Sequence, residues 1–245
     1  MRFIFMCILT FSLLFAQTND ETSFDSFDNE FATQKVKSSW DPIKIYNVPM
    51  TQFNDFVYMS IMGPIAKGYR SVVNKPIREG VSNVFHNLQF PIRFTNNILQ
   101  LKFNNALEES ARFVINSTYG LAGFIDIAKS EGGLERHNED FGQTLGFYGV
   151  GNDFHIVLPL FGPSNLRDTL GLITDSFVDP MYYAKKKDWD IFESNNRYLL
   201  INTYKIENEY SFQMDAYENI RKDSIDLYIL LKNVYEQRRD KMIEE

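Results

Sequence analysis

The sequence contains only one cysteine, Cys7, which lies within an apolar run over residues 3–15. If this N-terminal segment is removed, the mature chain has no cysteine. A disulfide, a thiolate metal site and a cysteine nucleophile are then all excluded.

Histidine and basic residues are also scarce. Only His86, His137 and His155 are present, and no two of them form a His-x-x-x-His pair. The chain has 25 Lys and Arg against 32 Asp and Glu, a net charge of −7. A general nucleic-acid binder is usually basic, so the charge balance argues against that class.

Long apolar runs are missing as well. The chain begins "MRFIFMCILTFSLLFAQ", with Arg2, a short apolar run and the small residue Ala16. This order is typical of a secretory signal, so we expect residues 1–16 to be a signal peptide, with an uncleaved N-terminal anchor as the alternative. A spanning helix needs about 20 apolar residues, and no such run follows.

The remaining chain divides into a tether and one domain. Residues 17–38 are polar and acidic without a sustained period, which predicts a flexible acidic tether. Residues 39–245 are expected to form a mainly α-helical domain. Apolar residues recur there every three or four positions, as on one face of a helix, and such stripes usually face a core. The clearest stripes are Ile77, Val81, Val84, Phe85 and Leu88, then Leu107, Ala111, Val114, Ile115 and Thr118.

Other segments carry weaker signals. Residues 163–180 are predicted to be a helix, whereas 154–162 are ambiguous. The last 40 residues predict one long helix or two shorter ones, and the charged end 236–245 is expected to be solvent-exposed. The aromatic-rich segment 40–69 favours a core helix, with a segment lying in a membrane interface as the alternative.

The stretch "HNEDFGQTLGFYGVG", residues 137–151, combines metal-ligand residue types with closely spaced glycines. His137, Glu139 and Asp140 could serve a metal-dependent hydrolase, but a zinc site needs further ligands. Asn138, Glu139 or Asp140 could instead cap a helix, and we favour this structural role.

The glycines in this stretch do not match a nucleotide-binding loop. Their order differs from Gly-x-Gly-x-x-Gly, and no lysine follows as in a phosphate-binding loop. Close backbone packing is the better interpretation. No Gly-x-Ser-x-Gly motif is present, and the pair Glu108–Glu109 is interpreted as a solvated helix face.

Several strings in order resemble the MlaA/VacJ family of Gram-negative bacteria. They are "DPIKIYN", "FNDFVY", "PIAKGYRSVVNKPIREGVSNVFHNL", "RFVINSTYGLAGFIDIA", "NEDFGQTLGFYGVG", "VLPLFGPSNLRD" and "LYILLKNVYEQRRDKMI". Together they span roughly residues 40–243. The resemblance implies a ring-like, mainly helical domain lying in the inner leaflet of the outer membrane, with a central amphipathic channel.

The same resemblance implies the function. Family members take mislocalised phospholipids from the outer leaflet and pass them to a soluble periplasmic carrier of the MlaC type, usually beside a trimeric porin. It implies neither a cofactor nor a catalytic step. The alternative is a periplasmic or outer-membrane scaffold, or a surface-spreading factor, without lipid transfer. Carried over by motif, the channel or hinge candidates are Asn47, Phe53, Asn54, Asp55, Gly142, Gly146, Gly149 and Gly151.

Two departures from the family pattern carry expectations of their own. Family members are usually lipid-anchored through a cysteine directly after the signal, whereas Cys7 lies early in the apolar run. We therefore expect a mature protein without a lipid anchor. Pro49 also falls inside the first segment and is expected to alter its helix.

Overall fold

The computed structural model describes residues 41–152, 154–184 and 195–245. The predicted signal peptide and almost all of the tether lie outside these residues. The described part is mainly helical, as the sequence predicts. Its helices are α1 (Lys44–Val57), α2 (Gly63–Val72), α3 (Lys75–Leu88), α4 (Phe90–Leu99), α5 (Phe103–Thr118), α6 (Ile127–Ser130), α7 (Phe141–Phe147), α8 (Leu166–Asp175), α9 (Pro180–Ala184), α10 (Asn195–Asp223) and α11 (Leu227–Glu244).

The first two helices run on from one another through a π-helical segment, Tyr58–Met62. Pro49 lies inside α1 without ending it. Tyr58 and Met62 face inwards with Ala66 and form a small apolar cluster with Tyr210 and Met214 of α10. This contact packs the N-terminal helices along α10.

Helix ends follow the local sequence. Asn74 caps α3, because its side chain accepts a hydrogen bond from the Ile77 amide at 3.3 Å. Gly120 follows α5 where a Cβ would lie 2.2 Å from the Ile125 carbonyl oxygen, so only glycine fits this turn. Helix α5 ends at Thr118, with Tyr119 as its C-cap.

A two-stranded antiparallel hairpin interrupts the helices. Strand β1 (His155–Leu158) pairs with β2 (Gly162–Asn165). The prediction that residues 163–180 are all helical is wrong at both ends, since α8 covers only Leu166–Asp175. The physical reason at its start is a cap: Asn165 accepts from the Asp168 amide at 2.7 Å, which fixes the first turn there.

The C-terminal segment forms two helices rather than one. Asp226 caps α11 by accepting from the Ile229 amide at 3.1 Å. Helix α11 packs against α7, α1 and β2. Its charged end is therefore not solvated throughout: Arg239 is 5% exposed, which contradicts the expected exposure of residues 236–245.

The helices turn many polar side chains inwards and apolar side chains outwards. In α5, Leu107 and Val114 of the predicted stripe are 68% and 57% exposed, while the opposite face is buried. That buried face consists of Ala106, Glu109, Arg112 and Asn116. Arg93 donates to Glu109 at 2.7 Å, so this face is stabilised by ion pairing rather than by apolar contact. The interpretation of Glu109 as solvated is wrong.

The same inversion recurs in other helices. In α8, Leu170 and Ile173 are exposed, whereas Arg167, Asp168 and Asp175 are buried. None of the helices in the described ranges is both long and apolar enough to cross a bilayer. The outward apolar surface is therefore spread over many amphipathic helices.

Candidate functional site

A cavity of about 210 Å³ opens between α1, the hairpin, α8, α10 and α11. Most of its wall is apolar, and polar groups meet it from α1, α8, α10, α11 and the residue before α7. The apolar lining comprises Val157, Phe161, Gly162, Pro163, Leu172, Ile220, Leu231, Val234 and Met242. The polar and aromatic lining comprises Thr51, Asn54, Tyr58, Asp140, Asp168, Asp175, Gln213, Tyr217, Tyr235, Arg238 and Arg239.

Arg239 lies at the centre of the charged part of the wall. Its guanidinium donates to both oxygens of Asp140, at 2.6 and 2.9 Å, and to Asp168 Oδ1 at 2.9 Å. Asp168 also accepts from the Tyr235 hydroxyl at 2.7 Å and from Arg167 Nε at 2.9 Å. Two carboxylates are thus held by two guanidinium groups, and their charges balance.

Asp140 has a second role as the cap of α7. Its carboxylate accepts from the Gln143 amide at 2.8 Å, which confirms the structural interpretation of this acid. Burial by itself raises the pKa of Asp140, but the charge and hydrogen bonds of Arg239 outweigh burial and lower that pKa to about 2. Asp140 is therefore ionised at neutral pH.

Asp175 lies in the same wall but in a different environment. Its two oxygens accept from Asn96 Nδ2 at 2.8 Å and from the Phe141 amide at 3.0 Å, both neutral donors. Burial and the nearby charge of Asp140 raise the pKa of Asp175 to about 7. Among the described residues, Asp175 forms no ion pair, and the charge of Arg239 only partly offsets the effect of burial on its pKa.

Asparagines of α1 hold the hairpin from the side opposite β2. Asn47 accepts from the Val157 amide at 2.9 Å and donates to the His155 carbonyl at 3.2 Å. Asn54, two turns later, accepts from the Leu160 amide at 2.6 Å and donates to the Leu158 carbonyl at 2.8 Å. The side-chain amides of α1 therefore take the place of a third strand and fix this wall of the cavity.

The other two candidates of α1 lie elsewhere. Asp55 accepts from Arg221 Nε at 2.7 Å and from the Tyr217 hydroxyl at 3.2 Å, which ties α1 to α10. Phe53 is on the exposed surface. Of the four predicted residues in this segment, Asn54 alone belongs to the cavity wall described above.

Gly142 supports the cavity without lining it. A Cβ at this position would lie 2.4 Å from Asp168 Oδ1 and 2.8 Å from Arg239 Nη2, so the charged cluster occupies the space of a side chain. A Cβ at Gly171 would lie 2.4 Å from the backbone nitrogen of Gly142, because α7 and α8 cross in contact here.

The remaining three glycines lie toward the end of α7 and beyond it. A Cβ at Gly146 would meet the Ile243 side chain at 2.5 Å. Gly149 has a φ of +87° with open space around it, and Gly151 is exposed. Close packing explains Gly142 and Gly146, and backbone conformation explains Gly149.

The acidic stretch before α7 is divided among separate partners. His137 Nε2 pairs with Glu108 at 2.8 Å, whereas Glu139 accepts from Lys102 Nζ at 2.6 Å and from Gln100 Nε2 at 2.7 Å. With Asp140 bound to Arg239, the three side chains do not converge. Within the described ranges, no group of three His, Cys, Asp or Glu side chains is arranged to hold a metal ion.

Most residues of the cavity wall are not among the candidates predicted from the sequence. Asp168 and Arg239 lie in two of the strings that resemble the family, "VLPLFGPSNLRD" and "LYILLKNVYEQRRDKMI", but they are not among the channel or hinge candidates. The sequence feature that could have identified them is their charge on otherwise amphipathic helices. Asp168, for example, lies two residues before an apolar stripe. Only the folded chain brings Asp140, Asp168 and Arg239 together across 99 and 71 residues of sequence.

Comparisons with known proteins agree with one another. A sequence model of the MlaA lipoprotein family matches residues 39–242. The intermembrane phospholipid transport system lipoprotein MlaA of Escherichia coli (strain K12) is 30% identical over 210 residues, covering 82% of this chain and 77% of that protein. An uncharacterized protein of Rickettsia prowazekii is 29% identical over 227 residues, covering 92% of this chain and 86% of that protein.

A solved structure has a similar fold. It is described as "Structural basis for maintenance of bacterial outer membrane lipid asymmetry" and superposes with a TM-score of 0.69 at 30% sequence identity. The match covers 83% of this chain and 99% of the solved chain.

Proposed function

The chain belongs to the MlaA lipoprotein family, and we propose that it is the outer-membrane component of an intermembrane phospholipid transport system. It removes mislocalised phospholipids from the outer leaflet and passes them towards the periplasm. Lipid asymmetry of the outer membrane is maintained in this way. No catalytic step is part of the proposal.

The amphipathic cavity is the observation that carries this proposal. A phospholipid has two apolar chains and a charged headgroup, so a path for it needs both kinds of surface. Apolar side chains of the hairpin, α8, α10 and α11 meet charged side chains of α8 and α11 around one space. Neither a purely apolar pocket nor a purely polar one would accommodate both ends of the lipid.

The outward apolar side chains support a position within the membrane surface. Exposed Leu107, Val114, Leu170 and Ile173 would contact acyl chains, while the buried polar faces remain paired inside the protein. We propose that this surface retains the protein at the periplasmic face of the outer membrane without a lipid on Cys7. Cys7 itself lies outside the described residues.

Membership of the family supports a proposal for the partners. We propose a soluble periplasmic carrier of the MlaC type as the recipient of the lipid and a porin trimer as the neighbour in the membrane. Among the candidate residues, Asn54 would contact the lipid path and Asn47 would hold its wall. Gly142 would allow the charged cluster to reach it, and Asp55 would connect α1 with α10.

Blocking the cavity tests the function. Leu172→Trp fills space within the wall, whereas Ile173→Trp adds the same ring on the exposed face of the same helix. In a strain lacking the gene, we expect Leu172→Trp to leave outer-leaflet phospholipid and detergent sensitivity as high as in the deletion. Ile173→Trp should restore both to wild-type levels.

The two proteins must be compared at equal abundance and with equal melting temperature. Lipid extraction and mass spectrometry of the detergent-purified proteins should show phospholipid with Ile173→Trp and less of it with Leu172→Trp. Full restoration by Leu172→Trp, with lipid-free wild-type protein, would contradict the transport function and favour a scaffold without lipid transfer.

A further inference from the structure

Asp175 differs from every other acidic residue of the cavity wall. It is 4% exposed, yet among the described residues its two oxygens accept hydrogen bonds from neutral groups, the Asn96 side-chain amide and the Phe141 backbone N–H. Within the described part of the chain it forms no ion pair. Asp140 and Asp168, by contrast, each pair with Arg239 at less than 3.0 Å.

A buried carboxylate without a cation is unfavourable. Its ionised form loses hydration, and two hydrogen bonds from neutral donors replace only part of that loss. A carboxylate has room for about four hydrogen bonds, so Asp175 retains acceptor capacity towards the cavity. Burial and the nearby charge of Asp140 accordingly raise the pKa of Asp175 to about 7.

The cavity also supplies the opposite charge. Arg238 belongs to the same wall as Asp175, whereas the charge of Arg239 is already balanced by Asp140 and Asp168. A ligand that carries a cation and an anion a few bonds apart would therefore find both signs of charge in one space. The headgroup of a zwitterionic phospholipid has this arrangement, with a phosphate next to an amine.

We propose that Asp175 is a specificity-determining residue of the lipid path, whose carboxylate receives the primary ammonium of a phosphatidylethanolamine headgroup. This inference rests on the proposed function. The ammonium has three N–H donors and a compact charge, so it can both hydrogen-bond to Asp175 and balance its charge. The apolar wall accommodates the acyl chains.

The proposal predicts an order among headgroups. Phosphatidylcholine has the same net charge, but its quaternary ammonium has no N–H to donate. Phosphatidylglycerol is anionic and offers no cation, so it would meet Asp175 with like charge or with a neutral hydroxyl only. We expect ethanolamine lipids to bind best, choline lipids less well and glycerol lipids least.

The experiment measures lipid binding and transfer with three headgroups on identical acyl chains. Purified wild-type protein, Asp175→Asn and Asp175→Glu are each reconstituted with vesicles of equal amounts of the three lipids. Asp179→Asn is the matched control, because Asp179 is also a buried carboxyl that accepts from a backbone amide, that of Met181 at 2.9 Å, but it does not line the cavity. Bound lipids are quantified by mass spectrometry, and transfer to acceptor vesicles is followed with fluorescent derivatives.

For wild type, Asp179→Asn and Asp175→Glu, we expect bound ethanolamine lipid to exceed glycerol lipid. Asp175→Asn should lower that ratio about tenfold, since a charge-assisted hydrogen bond is lost while the variant still binds lipid. Equal melting temperatures of the two asparagine variants would separate this loss from unfolding.

Different failures have different meanings. If the wild type binds and transfers all three lipids equally, or if Asp175→Asn keeps the wild-type ratio, headgroup selection by Asp175 is wrong and lipid transport still stands. If soluble phosphoethanolamine competes as strongly as the lipid, the site recognises a free amine rather than a membrane lipid, which also overturns the inference. If no variant and no wild-type sample binds or transfers lipid, the proposed function itself fails.

Discussion

Arg239 is buried, and its charge is balanced by Asp140 and Asp168 on two other segments. Removing one member of such a set leaves an uncompensated charge inside the protein, which costs about 3–5 kcal/mol. The cluster therefore fixes the relative positions of α7, α8 and α11. Gly142 is part of this arrangement, because a Cβ there would lie 2.4 Å from the Asp168 carboxylate and 2.8 Å from the Arg239 guanidinium.

His155 is a second buried polar residue with a measurable consequence. It is 2% exposed, and neither ring nitrogen has a hydrogen-bond partner among the described residues. Burial and the charge of Lys232 lower the pKa of His155 to about 4, although Asp41 acts in the opposite direction. The ring is therefore neutral at neutral pH.

This pKa predicts a loss of stability in mild acid. The unfolded chain binds a proton at His155 near pH 6.5, whereas the folded protein does so only near pH 4. The contribution of neutral His155 to the free energy of unfolding is fully present above pH 6.5 and is lost as the pH falls towards 4. The loss is about 2 kcal/mol between pH 6.5 and 5. The His155 ring lies 6.0 Å from that of Tyr228 and 6.4 Å from that of Tyr235, between centroids, so phenylalanine keeps an aromatic ring in this position but cannot take up the proton.

Denaturation of wild type and His155→Phe at pH 7 and pH 5 would test this. The variant should gain stability over the wild type by about 2 kcal/mol on acidification. A difference that stays constant with pH would show that His155 does not titrate in this window.

Among the secondary-structure elements, the crossing of α7 and α8 determines the distance between the segments that carry Asp140 and Asp168. The two helices touch at Gly142 and Gly171, where a Cβ on Gly171 would lie 2.4 Å from backbone nitrogen. Backbone atoms cannot rotate away as a flexible side chain can. This crossing therefore tolerates no side chain at residue 171.

Gly171→Ala should accordingly destabilise the protein by about 1–3 kcal/mol through overpacking. Gly68→Ala is the matched control, because Gly68 is inside α2 with open space where its Cβ would be, and alanine there should stabilise by about 0.5–1 kcal/mol. Thermal unfolding of the two variants in the same detergent would show shifts of opposite sign. If Gly171→Ala left the melting temperature unchanged, α7 and α8 could move apart without loss of stability.

The sequence indicated the existence of most elements, because caps and apolar periods are local signals. Asn74 and Asp140 cap helices as their residue types predict. It did not indicate which face is buried. The period of α5 fits one apolar face, but nothing in that period shows whether water, protein or lipid lies against Leu107.

The hairpin was not predicted either, because the sequence does not show what lies beside its strands. Strand β1 exchanges hydrogen bonds with Asn47 on α1, more than 100 residues earlier in the chain, rather than with a third strand: Val157 N–H donates to Asn47, and Asn47 donates to the His155 carbonyl. Its residues therefore need not alternate between apolar and polar as in an ordinary half-buried strand. Asp175 was missed because its significance depends on which cations reach it in three dimensions.

At the scale of the whole molecule, polar groups are concentrated inside and apolar side chains outside. A soluble protein arranged in this way would expose large apolar patches. The described helices instead present those patches as a surface that suits acyl chains, while no described helix crosses a bilayer. Membrane attachment should therefore depend on the sum of many side chains.

Replacing Leu107 and Val114 by glutamate should weaken membrane binding without unfolding the protein. Both side chains are exposed, so their removal opens no internal cavity, but each loses apolar contact with lipid. We expect flotation with phosphatidylethanolamine–phosphatidylglycerol vesicles to fall on the order of tenfold.

The control is the double variant Ser130→Glu and Thr203→Glu, which adds the same charge at exposed polar positions. It should float as wild type does. Equal losses in both double variants would point to charge repulsion from anionic lipid rather than to lost apolar contact.

The inward polarity also determines how this sequence can diverge. On the outer faces, one apolar side chain can replace another because fluid lipid adapts to its shape. On the inner faces, many Asn, Asp and Arg side chains have partners at fixed distances, such as Asn54 with both Leu158 and Leu160. Related chains should therefore differ most at their apolar positions and keep their buried polar ones, the reverse of the substitution pattern of a water-soluble domain.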